Sequence, residues 1–304
     1  MDDISVKLTQ TIVELSSPLA PIPTGASKNL EPLSGIRAVL FDVYGVLFIS
    51  CAGDIGINEP VDSDSAFQDA MTSAEFHWRS EYQPNHGPAL LSNYIKQTHT
   101  LKKENNIEYP EVDILEEWEK VVSSLINQNI IQGEITESSI KQLALEYELR
   151  VNPVWPMPHL NTVINKLQQS PMILGIISNA QFYTPYLFET FAGGQPGNIG
   201  FQKSLCIWSY RCGEGKPSLR MFQTARDRLQ QQFDIAPHET VFIGNDMLND
   251  IWTASQVGFR TILFAGDQRS LRIREDDSRC ASLQPDRIIC DLADICRIFP
   301  EITP

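Results

Sequence analysis

Short apolar runs recur along most of the chain, and each one ends in polar residues or a glycine. The runs are apolar throughout and do not alternate with polar residues, which is typical of strands buried on both faces of a parallel sheet. The pattern predicts strands in the segments RAVLFD (37–42), MILGIISN (172–179), SLCIWSY (204–210), TVFIGND (240–246), RTILFAGD (260–267) and DRIIC (286–290).

Segments with helical periodicity lie between these runs. PSLRMFQTARDRLQQQF (217–233) carries a proline at its start, which the first turn of a helix tolerates, and NTVINKLQQS (161–170) and NDIWTASQVGF (249–259) are similar in kind. Strands that alternate with helices predict an α/β fold with a doubly wound parallel sheet. We assign residues 35–50 and 156–304 to this core.

Residues 51–155 interrupt the alternation directly after the first predicted strand. They contain no clear buried-strand run, and the apolar positions follow the period of a helix instead. We therefore expect a helical domain inserted into the core, with helices in SAFQDAMTSAEFHWRSEY, ALLSNYIKQTHTLKKENN, DILEEWEKVVSSLINQN and TESSIKQLALEYEL.

The first 34 residues differ from both regions. They begin with a weakly amphipathic piece and continue as SSPLAPIPTGASKNLEPLSG, in which Pro, Ser and Gly dominate. Such a composition is typical of segments without regular structure. We predict an extended or mobile leader over residues 1–34.

Composition and charge narrow the class of protein. The chain has 38 acidic and 24 basic residues and a net charge of -14, which argues against nucleic acid as the main partner because phosphate backbones require Lys/Arg surfaces. No stretch approaches the roughly 20 apolar residues that span a bilayer, and no signal peptide is evident. Six scattered cysteines without a CxxC pair favour reduced thiols in a cytoplasmic protein. The oligomeric state stays open.

Four of the predicted strands lead into polar residues suited to chemistry. In an open parallel sheet, ligands collect at the carboxyl ends of the strands. Each residue alone is more often a turn or capping group, but the order and spacing of all of them together favour a shared site. The candidates are Asp42, Ser178 with Asn179, Lys216, and Asp246 with Asp250.

This set resembles the haloacid dehalogenase-like (HAD) hydrolase superfamily, over about residues 36–290. FDVYGVLF resembles motif I, IISN motif II, the lysine of GKPS motif III and GNDMLND motif IV. The helical insert between motifs I and II is similar to the C1 cap of the superfamily. The tail TILFAGD…PDRIICDL resembles the haloacid dehalogenase and phosphoglycolate phosphatase-like branches. The resemblance implies a Rossmann-like hydrolase core with a C1 cap.

The resemblance also implies a role for each matched residue. Asp42 is the expected nucleophile, which attacks phosphorus or carbon and forms an ester that water then opens. Ser178 is expected to hold the transferred or leaving group, and Asn179 to help orient it. Lys216 is expected to keep Asp42 ionised and to stabilise charge in the transition state. The expected cofactor is Mg²⁺, held by Asp42, the main-chain carbonyl of Tyr44 and a motif IV acid.

Tyr44 stands where phosphatases of the superfamily carry a second aspartate. That aspartate protonates the leaving alkoxide, and such help is typically worth ~10²–10⁴-fold in rate. A free tyrosine has a pKa of about 10, so it is a poor base at neutral pH and suits a leaving group that needs no proton. Halide is the obvious case, and FDVYG resembles motif I of 2-haloacid dehalogenases, which need no metal.

Motif IV favours a metal. Asp246 and Asp250 would be costly to hold one helical turn apart without a cation, which favours Mg²⁺ and a phosphorylated substrate. Two registers stay open: either Asn245 takes the place of the first acid, or Asp246 does. We expect Mg²⁺-dependent hydrolysis of a small phosphorylated metabolite, ahead of a dehalogenase and of a non-catalytic protein with this fold.

The cap is expected to close over the site and to select a small anionic substrate. Its richest segment is EFHWRSEYQPNH (75–86), where Arg79 is the best candidate to bind a carboxylate or phosphate and His77 lies beside it. Aromatic residues at helical spacing can equally form the core of the cap itself. Three further candidates for the pocket lining are Trp78, Tyr82 and His86.

Overall fold

The computed structural model of the chain describes residues 3–51 and 62–299. Its strands are β1 Ala38–Phe41, β2 Phe48–Ser50, β3 His77–Trp78, β4 Ile131–Gln132, β5 Val154–Pro156, β6 Ile173–Ser178, β7 Phe201–Trp208, β8 Thr240–Gly244, β9 Arg260–Phe264 and β10 Arg287–Ile289. Its α-helices are α1 Asp3–Leu15, α2 Ser63–Ser73, α3 Pro88–Glu104, α4 Ile114–Asn127, α5 Glu137–Val151, α6 Leu160–Gln168, α7 Thr184–Phe191, α8 Ser209–Cys212, α9 Arg220–Phe233, α10 Thr253–Gln256 and α11 Ile295–Ile298. Within the described ranges, no helix combines the length and the apolar character needed to cross a bilayer.

Six strands form the central sheet, in the order β10-β9-β8-β1-β6-β7. Every pairing between these neighbours is parallel. Each of the six predicted runs overlaps one of these strands. The predicted fold class, an α/β protein with a doubly wound parallel sheet, is confirmed.

The central strand β1 shows why the strand sequences are apolar without interruption. Its side chains point alternately to the two faces of the sheet, and both faces are covered. Val39 and Phe41 belong to one buried cluster, whereas Ala38 and Leu40 belong to another that includes Phe222 of α9. A strand in this position has no solvent-facing side, so a polar alternation would place polar groups in the core.

The cap is inserted where the chain leaves β2 and returns through β5. These two strands form an antiparallel ribbon, with Ile49 opposite Trp155, and α2 to α5 lie between them along the chain. The first predicted helix is wrong in its second half. The helix α2 ends at Ser73, Glu75 adopts a left-handed conformation with φ 65°, and His77–Trp78 form β3, which pairs with β4.

Aromatic side chains fill the centre of the cap. Phe67 and Trp118 are fully buried and stack with ring centroids 5.8 Å apart. Trp78 lies 5.2 Å from Tyr82, and Tyr147 lies 5.2 Å from Trp118. These five residues, here called the aromatic cluster, pack against one another as a local core.

The leader departs from its prediction as an extended or mobile segment, because residues 3–15 form the helix α1. Leu8, Thr11 and Ile12 of this helix are buried, and the helix packs against both α5 of the cap and α7 of the core. The Thr11 hydroxyl accepts a hydrogen bond of 2.8 Å from the side-chain amide of Gln142 in α5. The weak amphipathic pattern therefore belongs to a packed helix.

The segment between α1 and β1 is extended and hydrogen-bonded to the core. The backbone N–H of Ile22 donates to Asp267, and the Thr24 hydroxyl donates to the carbonyl of Ala265. Asn29 pairs with Ile288 of the edge strand β10 in an antiparallel bridge. Partners more than 200 residues away along the chain thus hold a stretch whose composition alone indicated mobility.

Candidate active site

A polar cavity of about 240 Å³ opens at the carboxyl ends of the central strands. Six of the residues predicted for the site meet there: Asp42, Tyr44, Asn179, Lys216, Asp246 and Asp250. The lining also includes Ser50, Asn245, Asn249, Ser270, Arg272 and Arg274.

Asp42, Lys216 and Asp250 form the innermost region of the cavity. Asp42 directly follows β1, and its carboxylate lies 2.9 Å from the Lys216 ammonium group. The same ammonium group lies 2.6 Å from Asp250, and the side chains of Lys216 and Asp250 are only 3% and 1% exposed. Two buried carboxyl groups therefore share one cation.

This arrangement shifts the proton affinity of the buried groups. Burial alone would lower the pKa of Lys216, but the carboxylates of Asp250 and Asp42 outweigh it and raise that pKa above its ordinary value. Burial raises the pKa of Asp250, whereas Lys216 acts in the opposite direction. Lys216 is therefore a fixed positive charge at neutral pH.

The Asn179 side chain is hydrogen-bonded to the backbone of Lys216. The Asn179 carbonyl oxygen accepts a hydrogen bond of 2.7 Å from the backbone N–H of Lys216, and its amide group donates back to the Lys216 carbonyl. Ser178, at the end of β6, is fully buried and donates a 3.4 Å hydrogen bond to the carbonyl of Asn179. Ser178 is not among the residues that line the cavity.

Asp250 also shapes the motif IV loop. Its second carboxylate oxygen accepts the backbone N–H groups of Asn245 and Asp246 at 2.9 and 3.0 Å. Gly244 permits this approach, because a Cβ atom there would collide with the Asp250 carboxylate. The loop continues as a π-helical turn, Met247–Trp252, a form frequent at functional sites.

Asp246 is engaged in a different way. Its carboxylate caps the π-helical turn by accepting the N–H groups of Leu248 and Asn249, and it pairs with the Arg274 guanidinium at 2.6 Å. Asp246 and Asp250 are thus each paired with an internal cation, and their role as metal ligands stays a prediction. We refer to Asp42, Lys216, Asp246, Asp250 and Arg274 together as the charged cluster.

Asn245 supplies an oxygen that fits a metal. Its amide nitrogen donates to the Ser270 carbonyl, whereas its Oδ1 atom is buried without a hydrogen-bond partner. Asn245 is only 7% exposed and lines the cavity. An unpaired buried carbonyl oxygen is costly unless a donor or a cation meets it. Two registers were left open for motif IV. The unpaired Oδ1 atom favours the register in which Asn245 takes the first position.

The Tyr44 side chain is a neutral phenol. Burial and the nearby carboxylate of Glu148 raise the pKa of Tyr44 far above its ordinary value, and the hydrogen bond of 2.8 Å to the Thr184 hydroxyl only partly opposes this. The next residue, Gly45, has φ 80°, and a Cβ atom there would collide with Ser270. The backbone of motif I therefore requires the glycine, whereas the side chain of Tyr44 cannot act as a base near pH 7.

The cap residues predicted to bind substrate do not reach the cavity. Arg79 is exposed and donates a 2.8 Å hydrogen bond to Asn129, and His77 is exposed in β3. Trp78 and Tyr82 belong to the aromatic cluster. Within the described ranges, the cavity lining includes no residue from 62–151.

Sequence reasoning missed the two arginines of the cavity. Arg272 and Arg274 follow β9 in the run RSLRIR, and their loop lies against motif IV. A run with a basic residue at every second or third position, directly after a strand of the sheet, was the available signal. The cap had been favoured instead as the source of an anion-binding group.

One family model matches part of the sequence. Residues 213–295 match the family model described as HAD-hydrolase-like, and this segment contains Lys216, motif IV and both arginines. No curated relative matches the sequence.

Solved structures of similar fold cover most of the chain. The 2-haloacid dehalogenase from Pseudomonas syringae pv. tomato DC3000 is 19% identical, over 88% of this chain and 97% of that one, with a TM-score of 0.52. A predicted phosphoglycolate phosphatase from Haemophilus somnus 129pt is 18% identical over 88% and 99%, with a TM-score of 0.47. A HAD phosphatase from Thermococcus onnurineus is 16% identical over 86% and 97%, with a TM-score of 0.41.

The chain thus has the fold of the haloacid dehalogenase-like hydrolases and, over residues 213–295, the sequence pattern of that superfamily. The resemblance inferred from the four motifs is confirmed at this level.

Proposed function

We propose that the protein is a Mg²⁺-dependent phosphohydrolase that acts on a small phosphorylated metabolite. The observation that carries this proposal is the buried trio of Asp42, Lys216 and Asp250, in which two carboxylates share one ammonium group. The concentration of carboxyl groups around a single ammonium group favours a cation, and the polar side chains of the lining suit a hydrated, charged group.

The reaction begins with Asp42. Its carboxylate attacks phosphorus, the bond from Asp42 to phosphorus forms, and the bond from phosphorus to the leaving oxygen breaks. Lys216 holds Asp42 in position and stabilises negative charge on the transferred group. Asn179 acts through Lys216, because its side chain binds both the backbone N–H and the backbone carbonyl of Lys216. Water then hydrolyses the acyl phosphate and restores Asp42.

The residues present fit a magnesium ion. Asp42, the main-chain carbonyl of Tyr44 and Asn245 Oδ1 would hold it, which is the oxygen-only donor set that Mg²⁺ prefers. Bound there, the ion would neutralise charge on the phosphoryl group. Asp246 and Asp250 would act on its surroundings through Arg274 and Lys216.

One observation favours a second function, hydrolysis of a carbon–halogen bond. The hydroxyl of Tyr44 is bonded to Thr184 and remains protonated, so it offers no base to activate water and no strong acid for an alkoxide. Halide leaves without a proton. Under this alternative Asp42 attacks carbon, and no metal is required.

The test is a turnover assay that separates the two reactions. Purified protein with Mg²⁺ is offered a broad panel of phosphorylated metabolites, and released phosphate is measured with and without a chelator. A 2-haloacid is offered in parallel, and halide release is measured in the presence of chelator. Phosphate release that the chelator stops supports the proposal, whereas chelator-resistant halide release supports the alternative.

Asp42→Asn is the matched control for both assays. Lys216 keeps its partner Asp250 in this variant, so the fold should persist while the nucleophile is lost. Activity that survives Asp42→Asn would exclude the proposed role of Asp42. Silence of the parent protein in both assays would favour a non-catalytic protein.

Asn245 can be tested by metal binding alone. Replacing it with alanine should weaken Mg²⁺ binding in calorimetry, and Asn245→Asp, which keeps the oxygen and adds charge, should strengthen it. Asn249→Ala, which changes another amide of the lining, serves as the control. Equal Mg²⁺ affinity in all three variants and the parent would remove Asn245 from the metal site.

A further inference from the structure

A loop of the cap, residues 105–113 between α3 and α4, pairs with the backbone that leads into motif III. The N–H of Glu111 donates to the carbonyl of Gly213, and the N–H of Gly215 donates to the carbonyl of Tyr109, both at 3.0 Å. Gly215 directly precedes the lysine of motif III. The cap therefore contacts the active-site backbone through this loop, although none of the loop residues lines the cavity.

The Glu111 side chain extends the contact to motif II. Its carboxylate accepts a hydrogen bond of 2.8 Å from the hydroxyl of Ser209, which is fully buried. The same hydroxyl oxygen accepts the backbone N–H of Ala180 at 2.9 Å, and Ala180 directly follows Asn179. Asn179 in turn binds both backbone groups of Lys216. One carboxylate of the cap is thus linked, through Ser209, to the residues that hold the ammonium group in place.

Gln181, which lies two residues after motif II, holds the same loop from the core. Its side-chain nitrogen donates to the carbonyl of Val112 at 3.0 Å, and its side-chain oxygen accepts the N–H of Ile114 at 3.0 Å. The nitrogen also donates a longer hydrogen bond of 3.4 Å to the Glu111 carboxylate. The cap loop is therefore bonded at once to the segments that follow motif II and precede motif III.

We propose that Glu111 is a positioning residue, which keeps Lys216 and Asn179 in their reactive arrangement while the cap contacts the core. Glu111 does not line the cavity, so it acts through Ser209 and through the backbone that precedes Lys216. This inference rests on the proposed function, because the placement of Lys216 matters for turnover only if Asp42 reacts beside it. Misplacement of a reacting group by about 1 Å can cost on the order of 10²-fold in rate. Contact between cap and core thereby completes the active site.

Amide hydrogen exchange tests this link without any substrate. In Glu111→Ala, the N–H groups of Ala180 and Gly215 should exchange about 10-fold faster than in the parent, because the groups that bind them are less firmly held. The amides of the central strands β1 and β8 serve as the reference for any change in global stability. Glu108→Ala removes the same charge from an exposed position of the same loop and should leave all these rates unchanged.

Kinetics show whether the link serves turnover. With the substrate that the turnover assay identifies, Glu111→Ala should lower kcat by about 10- to 100-fold and change KM by less than about 3-fold. Ser209→Ala should have a similar effect, and the double variant should be no slower than the slower single variant, because both residues act along one path. Glu111→Gln keeps an acceptor oxygen for Ser209, so it should show smaller shifts in the same direction in both exchange and kcat.

Three outcomes would overturn the inference. They are unchanged exchange at Ala180 and Gly215 in folded Glu111→Ala, an unchanged kcat in that variant, and losses of kcat that multiply in the double variant with Ser209→Ala. A failure of the proposed function appears differently, as no phosphate release by the parent protein while Glu111→Ala still raises the two exchange rates. That result would support the link from Glu111 to both motifs and overturn only the reaction assigned to them.

Discussion

The charged cluster of the core and the aromatic cluster of the cap are held together by different forces. In the charged cluster, each carboxylate has a specific cationic partner at 2.6 to 2.9 Å. Replacing one charged group therefore leaves its partner without a counter-charge. In the aromatic cluster, the centroids of contacting rings lie 5.2 to 6.4 Å apart, and the contacts are apolar and redundant.

The difference shows how residue type can mislead. Aromatic, histidine and arginine residues concentrate in the segment 75–86, so the cap seemed rich in chemistry, yet the structure uses its aromatic residues for packing. The residues of the charged cluster come instead from segments that follow strands of the sheet: Asp42 after β1, Lys216 between α8 and α9, Asp246 and Asp250 after β8, and Arg274 after β9. Position relative to the sheet was a better guide to the cavity than residue type.

Lys216→Met should have the largest effect, on both activity and stability. It leaves Asp42 and Asp250 buried without their shared cation, and removal of one partner of a buried ion pair costs about 3–5 kcal/mol in the free energy of unfolding. Turnover should fall by about 10²–10³-fold or more, since a charge that stabilises the transition state is lost. Urea unfolding and kcat measure the two effects.

Adding Asp250→Asn to Lys216→Met separates those effects. The double variant carries one buried carboxylate fewer, so it should regain some of the stability without regaining turnover. If Lys216→Met alone were as stable and as active as the parent, the shared-cation description of the charged cluster would be wrong.

Trp118→Ala should affect stability alone. Trp118 is 1% exposed and contacts both Phe67 and Tyr147, and a large-to-small change at such a site costs about 3–5 kcal/mol. Below its unfolding transition the variant should keep kcat/KM, because the aromatic cluster lies outside the cavity lining. Trp118→Phe, which keeps most of the packing, should lose less. A selective loss of turnover in folded Trp118→Ala would give the cluster a direct role in the site.

Glu148→Gln should show a smaller, pH-dependent effect on stability. Burial raises the pKa of Glu148 above its ordinary value of 4.5, although hydrogen bonds from Asn152 and Tyr183 oppose the shift. An acid with a raised pKa in the folded state favours folding when protonated, and this contribution is lost as the pH rises from 4.5 through the raised pKa. The variant should therefore gain in Tm relative to the parent as the pH rises through this window. A difference in Tm that is independent of pH would contradict the shift.

Arg79→Ala should have the smallest effect. The side chain is exposed and hydrogen-bonded only to Asn129 among the partners described, so the free energy of unfolding should change by less than about 0.5 kcal/mol. Its kcat/KM should stay near that of the parent, because Arg79 is not among the residues that line the cavity. A large rise in KM for Arg79→Ala would restore the cap as the anion-binding region.

The sheet and most of the cavity were predictable from the sequence, because parallel strands bring their carboxyl ends to one edge. That rule, together with the order and spacing of the four motifs, predicted that Asp42, Lys216 and Asp250 meet in one site. The position of Arg272 in the cavity lining was not predictable, because it depends on backbone pairing between the loop after β9 and motif IV. No local sequence pattern encodes that pairing. Asn245 was identified as one of two possible occupants of the first motif IV position, but its unpaired oxygen is visible only in the structure.

The prediction for the leader, residues 1–34, was incomplete for a related reason. Proline and serine in residues 16–34 indicated a lack of regular structure, and most of the segment does lack it. Its order comes from partners such as Asp267 and Ile288, which are remote in sequence. The period of α1 was visible, but its burial depends on surfaces of α5 and α7 that the sequence does not reveal.

The helix α1 has a practical consequence for anyone who works with fragments of this protein. It bridges the cap and the core, so it is a further connection between them besides the two strands of the ribbon. A version trimmed to begin at β1 would still contain every motif of the hydrolase, but it would expose the surfaces that Leu8 and Ile12 now cover. Its cap and core would be less firmly coupled, and measurements on it would describe a looser protein than the chain that keeps this helix.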